Sequence, residues 1–292
     1  MPKSGRLKNS KGSDIDLPRG MSQLTPRRQE LIRAVFERPQ QYVLLSVRDL
    51  ATRLGTDPAT VVRIVQRLGF ESYRAFQLHL HQLSMARATP LHTMRAGATA
   101  GATPQARLRQ ALEKEVQNVD GLLNTLDLSR LATAAARLWD ARRILVVGGD
   151  LAATLVSYLE YHLGEIGLAS SSATAPGLAV HSVRGLGPDD VMIAISFRRG
   201  LRMTVQALQQ ASKQGVFCIG ITDTSLSPIA RLADEVFLAS VEAGSFVSSY
   251  AAPIALLSML LAACAEARRD ATLRWMKKVE VEQRNGFRWY SD

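Results

Sequence analysis

Apolar positions recur at helical spacing from residue 25 onward. Leu31, Ile32, Val35 and Phe36 share one face of a helix that Thr25 and Pro26 can start and that Pro39 ends. A second short helix is predicted from Ser46, with Leu50, Ala51 and Leu54 inward and Gly55 closing it. A third starts at Asp57-Pro58 and carries Val61, Ile64, Val65 and Leu68 to Gly69; a fourth spans about 72–85 with Ala75, Phe76, Leu80 and Leu83. Residues 86–106 are small, polar and broken by Pro90, Gly97, Gly101 and Pro104, the composition of a linker. A helical stretch follows over 108–126, with apolar positions at 108, 112, 116, 119, 122 and 123.

The grammar changes after Trp139. Continuous apolar runs at 144–147, 190–196 and 216–222, with weaker strand segments near 168–171 and 235–239, alternate with helical patterns. Unbroken apolar strands between helices predict a parallel sheet covered on both faces. The division expected is a flexible basic arm over 1–20, a helical domain over 21–86, a linker and connecting helix over 87–128, an α/β domain over 129–270 and a C-terminal tail over 271–292 that the pattern does not place.

Charge sharpens this division. The chain of 292 residues carries a net +10; residues 1–100 hold 16 Lys+Arg against 7 Asp+Glu, a net +9, and the remainder is nearly neutral. A module that meets a polyanion, joined to one that does not, is implied; charge alone leaves nucleic acid and anionic membrane both open. The longest apolar run, Ala251 to Ala265, is about 15 residues and is interrupted by Pro253 and Ser258, short of the ~20 needed for a span. The N-terminal segment is basic and polar, unlike a secretory signal. Cys218 and Cys264 lie in apolar stretches without metal-ligand spacing, so neither a metal nor a cofactor is expected, nor a membrane partner, and a cytoplasmic location is.

The two short helices around Gly55 have the spacing of a helix-turn-helix. Such a reader docks one face of its second helix and offers short polar groups and cations on the other. Ala59, Thr60 and Arg63 are the candidates for base contact or close groove approach, with Gln66 and Arg67 on the same side. Thr56, Arg67, Arg48 and Tyr73 are candidates for backbone contact, and the free N–H groups at the helix N-terminus, beside Thr56, are a place for a phosphate. The run LSVRDLATRLGTDPATVVRIVQRLGFESY, residues 45–73, resembles the N-terminal domain of the RpiR/MurR family of bacterial transcription regulators, over about residues 22–85.

The second half resembles the sugar isomerase (SIS) domain that follows this reader in the same family. The likeness rests on Ala-Ile-Ser at 194–196, Ile-Thr-Asp at 221–223, Ser227-Pro228-Ile-Ala and Leu232-Ala-Asp, over about residues 129–267. It implies an all-α helix-turn-helix domain joined to an α/β domain with a five-stranded parallel sheet of flavodoxin-like order, and a site for phosphosugars between loops. Its phosphosugar-binding members have Gly-x-Gly-x-Ser after the first strand, where this chain has Gly148, Gly149, Asp150, Leu151 and Ala152. They have Ser-x-Ser-Gly-x-Thr after the third, where Ser196 matches and Arg198, Arg199 and Leu201 stand in for Ser, Gly and Thr. An acidic ligand held by the two arginines follows, since guanidinium forks take carboxylate and phosphate alike. Gly148, Gly149, Ser196, Arg198, Arg199, Ser245 and Ser249 are the ligand-site candidates, with Ser248 near them.

The function expected is a DNA-binding regulator, dimeric or tetrameric, that senses a small anionic metabolite and binds a double-stranded operator accordingly. The alternative is a sugar-phosphate isomerase, which needs a placed base; Glu242 and His181 are the residues that would have to supply it.

Overall fold

The computed structural model describes residues 5–8, 14–37, 39–87, 103–198 and 200–284, in two compact units divided near residue 93. Residues 88–102 of the expected linker lie outside the described residues, as do residues 285–292 of the expected tail.

The first unit is helical: α1 (Pro26–Glu37), α2 (Val47–Arg53), α3 (Pro58–Arg67) and α4 (Tyr73–Arg87). Ile32, Val35, Phe36, Leu50, Val61, Ile64, Phe76 and Leu80 form its interior, with Phe36 and Phe76 packed edge to face at 5.9 Å. One expectation needs correction here. The segment read as an arm without structure contains two strands, β1 (Gly5–Lys8) and β2 (Asp14–Leu17), paired antiparallel. Ladder pairing is made by the main chain, so a polar composition does not preclude it.

The second unit opens with α5 (Pro104–Thr125), capped by the Thr103 hydroxyl, and α6 (Leu128–Asp140), capped by Asp127. Strands β3 (Ile144–Val147), β4 (Ser170–Ala173), β5 (Val191–Ile195), β6 (Phe217–Thr222) and β7 (Glu235–Leu238) are all parallel, in the order β4-β3-β5-β6-β7. This is the expected flavodoxin-like order, with its switch point between β3 and β5. Between them run α7 (Ala152–Glu165), α8 (Pro176–Arg184), α9 (Arg202–Lys213) and α10 (Pro228–Leu232); α11 (Ala251–Ala267) and α12 (Arg269–Arg284) close the unit.

Strand alternation divides the interior into two layers. Ile144, Val146, Val191, Ile193, Ile219 and Ile221 face α6, α7 and α11. Leu145, Val147, Met192, Ala194 and Cys218 face α8 and α9. The apolar run of α11 is thereby explained, because Leu256, Leu257, Leu260 and Cys264 are buried in the first layer. No single helix among the described residues is long and apolar enough to cross a membrane. At the amino edge of the sheet, the buried Asp190 accepts from Arg142 and from the Gly187 N–H. Burial alone would raise its pKa, but the Arg142 bond, the Gly187 N–H and Arg143 outweigh it and hold the carboxyl below the usual range.

The described part of the closing segment, unplaced by pattern, belongs to α12, which seats Trp275 on Gly167. With φ of +88° and a built Cβ only 2.0 Å from the indole, position 167 admits no side chain.

Candidate nucleic-acid interface and ligand crevice

Two caps set the geometry of the reading helix. Ser46 accepts from the Asp49 N–H to start α2; Gly55 turns the chain at φ of +64°; Asp57 starts α3. Val61, Ile64, Val65 and Leu68 then face the interior, leaving Ala59, Val62, Arg63, Gln66 and Arg67 exposed along one side of α3. Of the expected base-contact residues, Ala59 and Arg63 are exposed and Thr60 is half-buried. Arg48 is exposed on α2, and Thr56 is half-buried in the turn.

Arg63 is not splayed into solvent. Its guanidinium donates to the Ala59 carbonyl at 3.3 Å and to Thr60 Oγ1 at 3.1 Å. Thr60 in turn donates its hydroxyl proton to Asp57 at 2.6 Å. A chain of weak, exposed bonds thus parks Arg63 along its own helix, and each can be exchanged for a base edge at little cost.

Two expectations are altered. The N-terminus of α3 is not an open phosphate site, because the Asp57 carboxylate accepts the Thr60 N–H at 2.8 Å. The Thr60 hydroxyl and N–H hold that carboxyl below its ordinary value of 3.8, so it stays ionised and repels an anion there. Tyr73 does not join the exposed cluster either. Its hydroxyl donates to the Leu45 carbonyl at 2.8 Å, beside Gln77 Nε2 at 2.9 Å on the same oxygen, so it clamps α4 to the segment before α2. Burial, with Asp49 nearby, pushes its pKa up to about 12. The sequence reading missed Val62, whose exposure follows from its spacing three residues after Ala59 on the same side. An apolar group there suits a thymine methyl.

The candidate ligand residues lie at the carboxyl edge of the sheet, where β3 and β5 end. Gly148 and Gly149 are needed there for packing. A Cβ at Gly148 would lie 2.8 Å from the Ile195 carbonyl, and one at Gly149 2.7 Å from Leu201 Cδ2. The next loop is tied by the buried Ser196, whose Oγ accepts the Leu201 N–H at 2.8 Å. Arg198 stands at φ of +58°, with its N–H on Asp223 Oδ1 at 2.8 Å, and Asp150 stands at φ of +55°. Such conformations in non-glycine residues cluster at binding sites. Burial raises the pKa of Tyr250, with the Asp150 and Asp223 carboxylates adding to it and the Arg198 guanidinium opposing them. Phe197 packs on the Tyr250 ring at 5.5 Å. Arg199 lies outside the described residues.

The serine candidates before α11 divide from this group. Ser249 is buried and bonded to Glu115 of α5, so it anchors that helix instead of lining the crevice with Ser196. Ser245 is half-buried in the same loop, next to Gly244, whose missing Cβ leaves room for the backbone of Ala111. Asp223 and Tyr250 were missed as site residues. Asp223 carried a signal, since it follows β6 directly at the carboxyl edge; Tyr250 carried none.

A helix-turn-helix unit followed in the chain by a doubly wound α/β unit is the domain order of a ligand-responsive DNA-binding regulator. Residues 16–86 match the family model described as helix-turn-helix domain, rpiR family, and residues 137–263 match the SIS domain. The sugar isomerase domain of an RpiR transcription factor from Sphaerobacter thermophilus is 30% identical, with a TM-score of 0.57 over 59% of this chain and 96% of that one. An HTH-type transcriptional regulator of Caldanaerobacter subterraneus subsp. tengcongensis is 24% identical over 82% of this chain and 84% of its own. The Vibrio vulnificus NanR protein, solved in complex with ManNAc-6P, shares the fold at 20% identity and a TM-score of 0.58, over 90% of this chain and 95% of that one. The chain belongs to the RpiR family of transcriptional regulators.

Proposed function

We propose that the crevice takes a small acidic metabolite, a phosphosugar or a carboxylic acid, and that its occupancy changes the affinity of a dimeric protein for its operator. Ala59, Thr60, Val62 and Arg63 meet base edges, while Arg48, Thr56 and Arg67 meet the phosphate backbone. Arg198 and Arg199 receive the anion, with Ser196, Gly148 and Gly149 shaping the wall behind it. The observation that carries this reading is Arg198, held after β5 in a left-handed conformation with its N–H bonded to Asp223. Support comes also from α9, which starts beside that loop without a side-chain cap and so offers its N–H groups to an anion. The phosphosugar in the Vibrio vulnificus NanR complex falls in the same ligand class. A ligand switches such a protein only by binding one geometry of the pair better than another.

No catalytic role is assigned. Glu242 is paired with Lys114 of α5, and His181 is exposed on α8, so neither candidate base belongs to the crevice group. The test is a thermal-shift panel of sugar phosphates and small carboxylic acids on the full chain. A true ligand at about 100 times its Kd stabilises by roughly 2.7 kcal/mol, and Arg198→Ala should abolish the shift while leaving duplex binding intact. A ligand whose shift survives Arg198→Ala would overturn the site, and turnover of any of these compounds would overturn the non-enzymatic reading.

A further inference from the structure

Helix α5 is amphipathic in the unexpected sense. Its inward side is mostly polar: Asn118 donates to the Glu242 carbonyl at 2.7 Å and accepts from Ser240 Oγ at 2.9 Å, Lys114 pairs with Glu242, and Glu115 bonds Ser249, with Leu122 the buried apolar residue among them. Gly244 lets the 240–249 loop come within contact of Ala111. Its apolar side faces outward. Leu108 is 71% exposed, Leu112 66%, Val116 63%, Val119 39% and Leu123 78%. At 100° per residue these five fall within a stripe about 80° wide on a helix about 33 Å long. Monomeric proteins seldom leave a continuous apolar ridge of this size in water.

We infer that this stripe is the contact between two copies of the chain, with the two α5 helices antiparallel across a two-fold axis near Val116. The sequence of the stripe is its own complement. Turned end for end, Leu108 of one copy meets Leu123 of the other, Leu112 meets Val119, and Val116 meets Val116. A two-fold interface demands this self-complementarity, because one patch must serve as both surfaces. Charge selects the same direction. Arg109 flanks the stripe near its start and Asp120 near its end, both exposed on the same side. An antiparallel pair sets Arg109 beside Asp120 of the other copy, twice; a parallel pair would put the two Arg109 side chains, and the two Asp120 side chains, on opposite flanks of the contact and form neither pair. The assignment names the surface by which the proposed dimer forms, and it stands or falls independently of ligand and operator, since mass and crosslinking report neither.

The test uses the full chain. Light scattering at micromolar concentration should give twice the 31.9 kDa chain mass, and Val116→Glu, which sets two carboxylates at the axis, should halve it with unchanged far-UV circular dichroism. Mild oxidation of Val116→Cys should give a covalent dimer, as should Leu112→Cys/Val119→Cys together, while Leu112→Cys alone should not. The native Cys218 and Cys264 are buried and do not compete. A monomeric wild-type chain, a dimer indifferent to Val116→Glu, or a Leu112→Cys variant that crosslinks as readily as Val116→Cys would each overturn the assignment.

Discussion

Helices α3 and α5 are wired in opposite senses. In α3 the apolar residues Val61, Ile64 and Val65 are docked, and Arg63, Gln66 and Arg67 are left outside. In α5 the polar residues Lys114, Glu115 and Asn118 are docked, and Leu108, Leu112, Val116 and Leu123 are left outside. What a helix leaves exposed declares its partner: cations and short polar groups suit a hydrated polyanion, and an apolar ridge suits another protein. The residues exposed on α3 would bury little apolar area in a protein contact, and those on α5 would neutralise no phosphate.

Substitutions can break that contrast one side at a time. The largest effect expected is from Arg63→Ala, which should weaken binding to the specific operator by about 1–3 kcal/mol, roughly five- to 150-fold, with the oligomer mass unchanged. An equal loss of mass would mean that the two faces are not separate. Gly244→Ala should come next. Its Cβ would sit 2.6 Å from Ala111 Cα, forcing α5 off the loop at a cost of about 1–3 kcal/mol. Calorimetry should find the second unit alone lowered, by about 2–4 °C per kcal/mol. Ser46→Ala removes the cap of α2 and should cost the first unit about 1 kcal/mol, read from faster amide exchange in α2 while the sheet amides stay protected.

The smallest effect is acid sensitivity at α3. Because the Asp57 carboxyl titrates lower folded than unfolded, its cap contributes fully above the ordinary value of 3.8 and fades as pH falls through the depressed one. Exchange at the Thr60 amide should accelerate in that acidic window, and Asp57→Asn, an uncharged cap, should flatten the dependence. A Thr60 amide equally protected throughout would remove Asp57 as the group responsible.

The front unit was legible because its signals are local. Ser46, Gly55 and Asp57 each act within four residues, and helical periodicity assigns the inward face directly. The sheet was legible from its unbroken apolar strands, save for β4, which runs Ser170–Ala173 where 168–171 was expected. As a sheet edge rich in serine it offers little apolar pattern to fix its ends. The crevice was legible only in part. Ser196 and Arg198 follow a strand end, but Tyr250 reaches Asp150 and Arg198 through the tertiary fold alone. Ser249 likewise turns to Glu115, a residue on the helix that the pattern read as a connection outside the α/β domain. The docking of Trp275 on Gly167 is non-local in the same way, and without it the closing helix had no address.

On the reading proposed above, α3 and its neighbourhood grip a duplex through charge. Fluorescence anisotropy of a labelled mixed-sequence duplex, titrated with the full chain across a salt series, tests it most directly. Binding should be measurable at 50 mM salt and fall log-linearly as salt rises, with a slope of about −0.9 per phosphate neutralised. The triple variant Arg48→Glu/Arg63→Glu/Arg67→Glu should lose the binding and retain the oligomer mass. Equal affinity for wild type and triple variant at every salt concentration would contradict it.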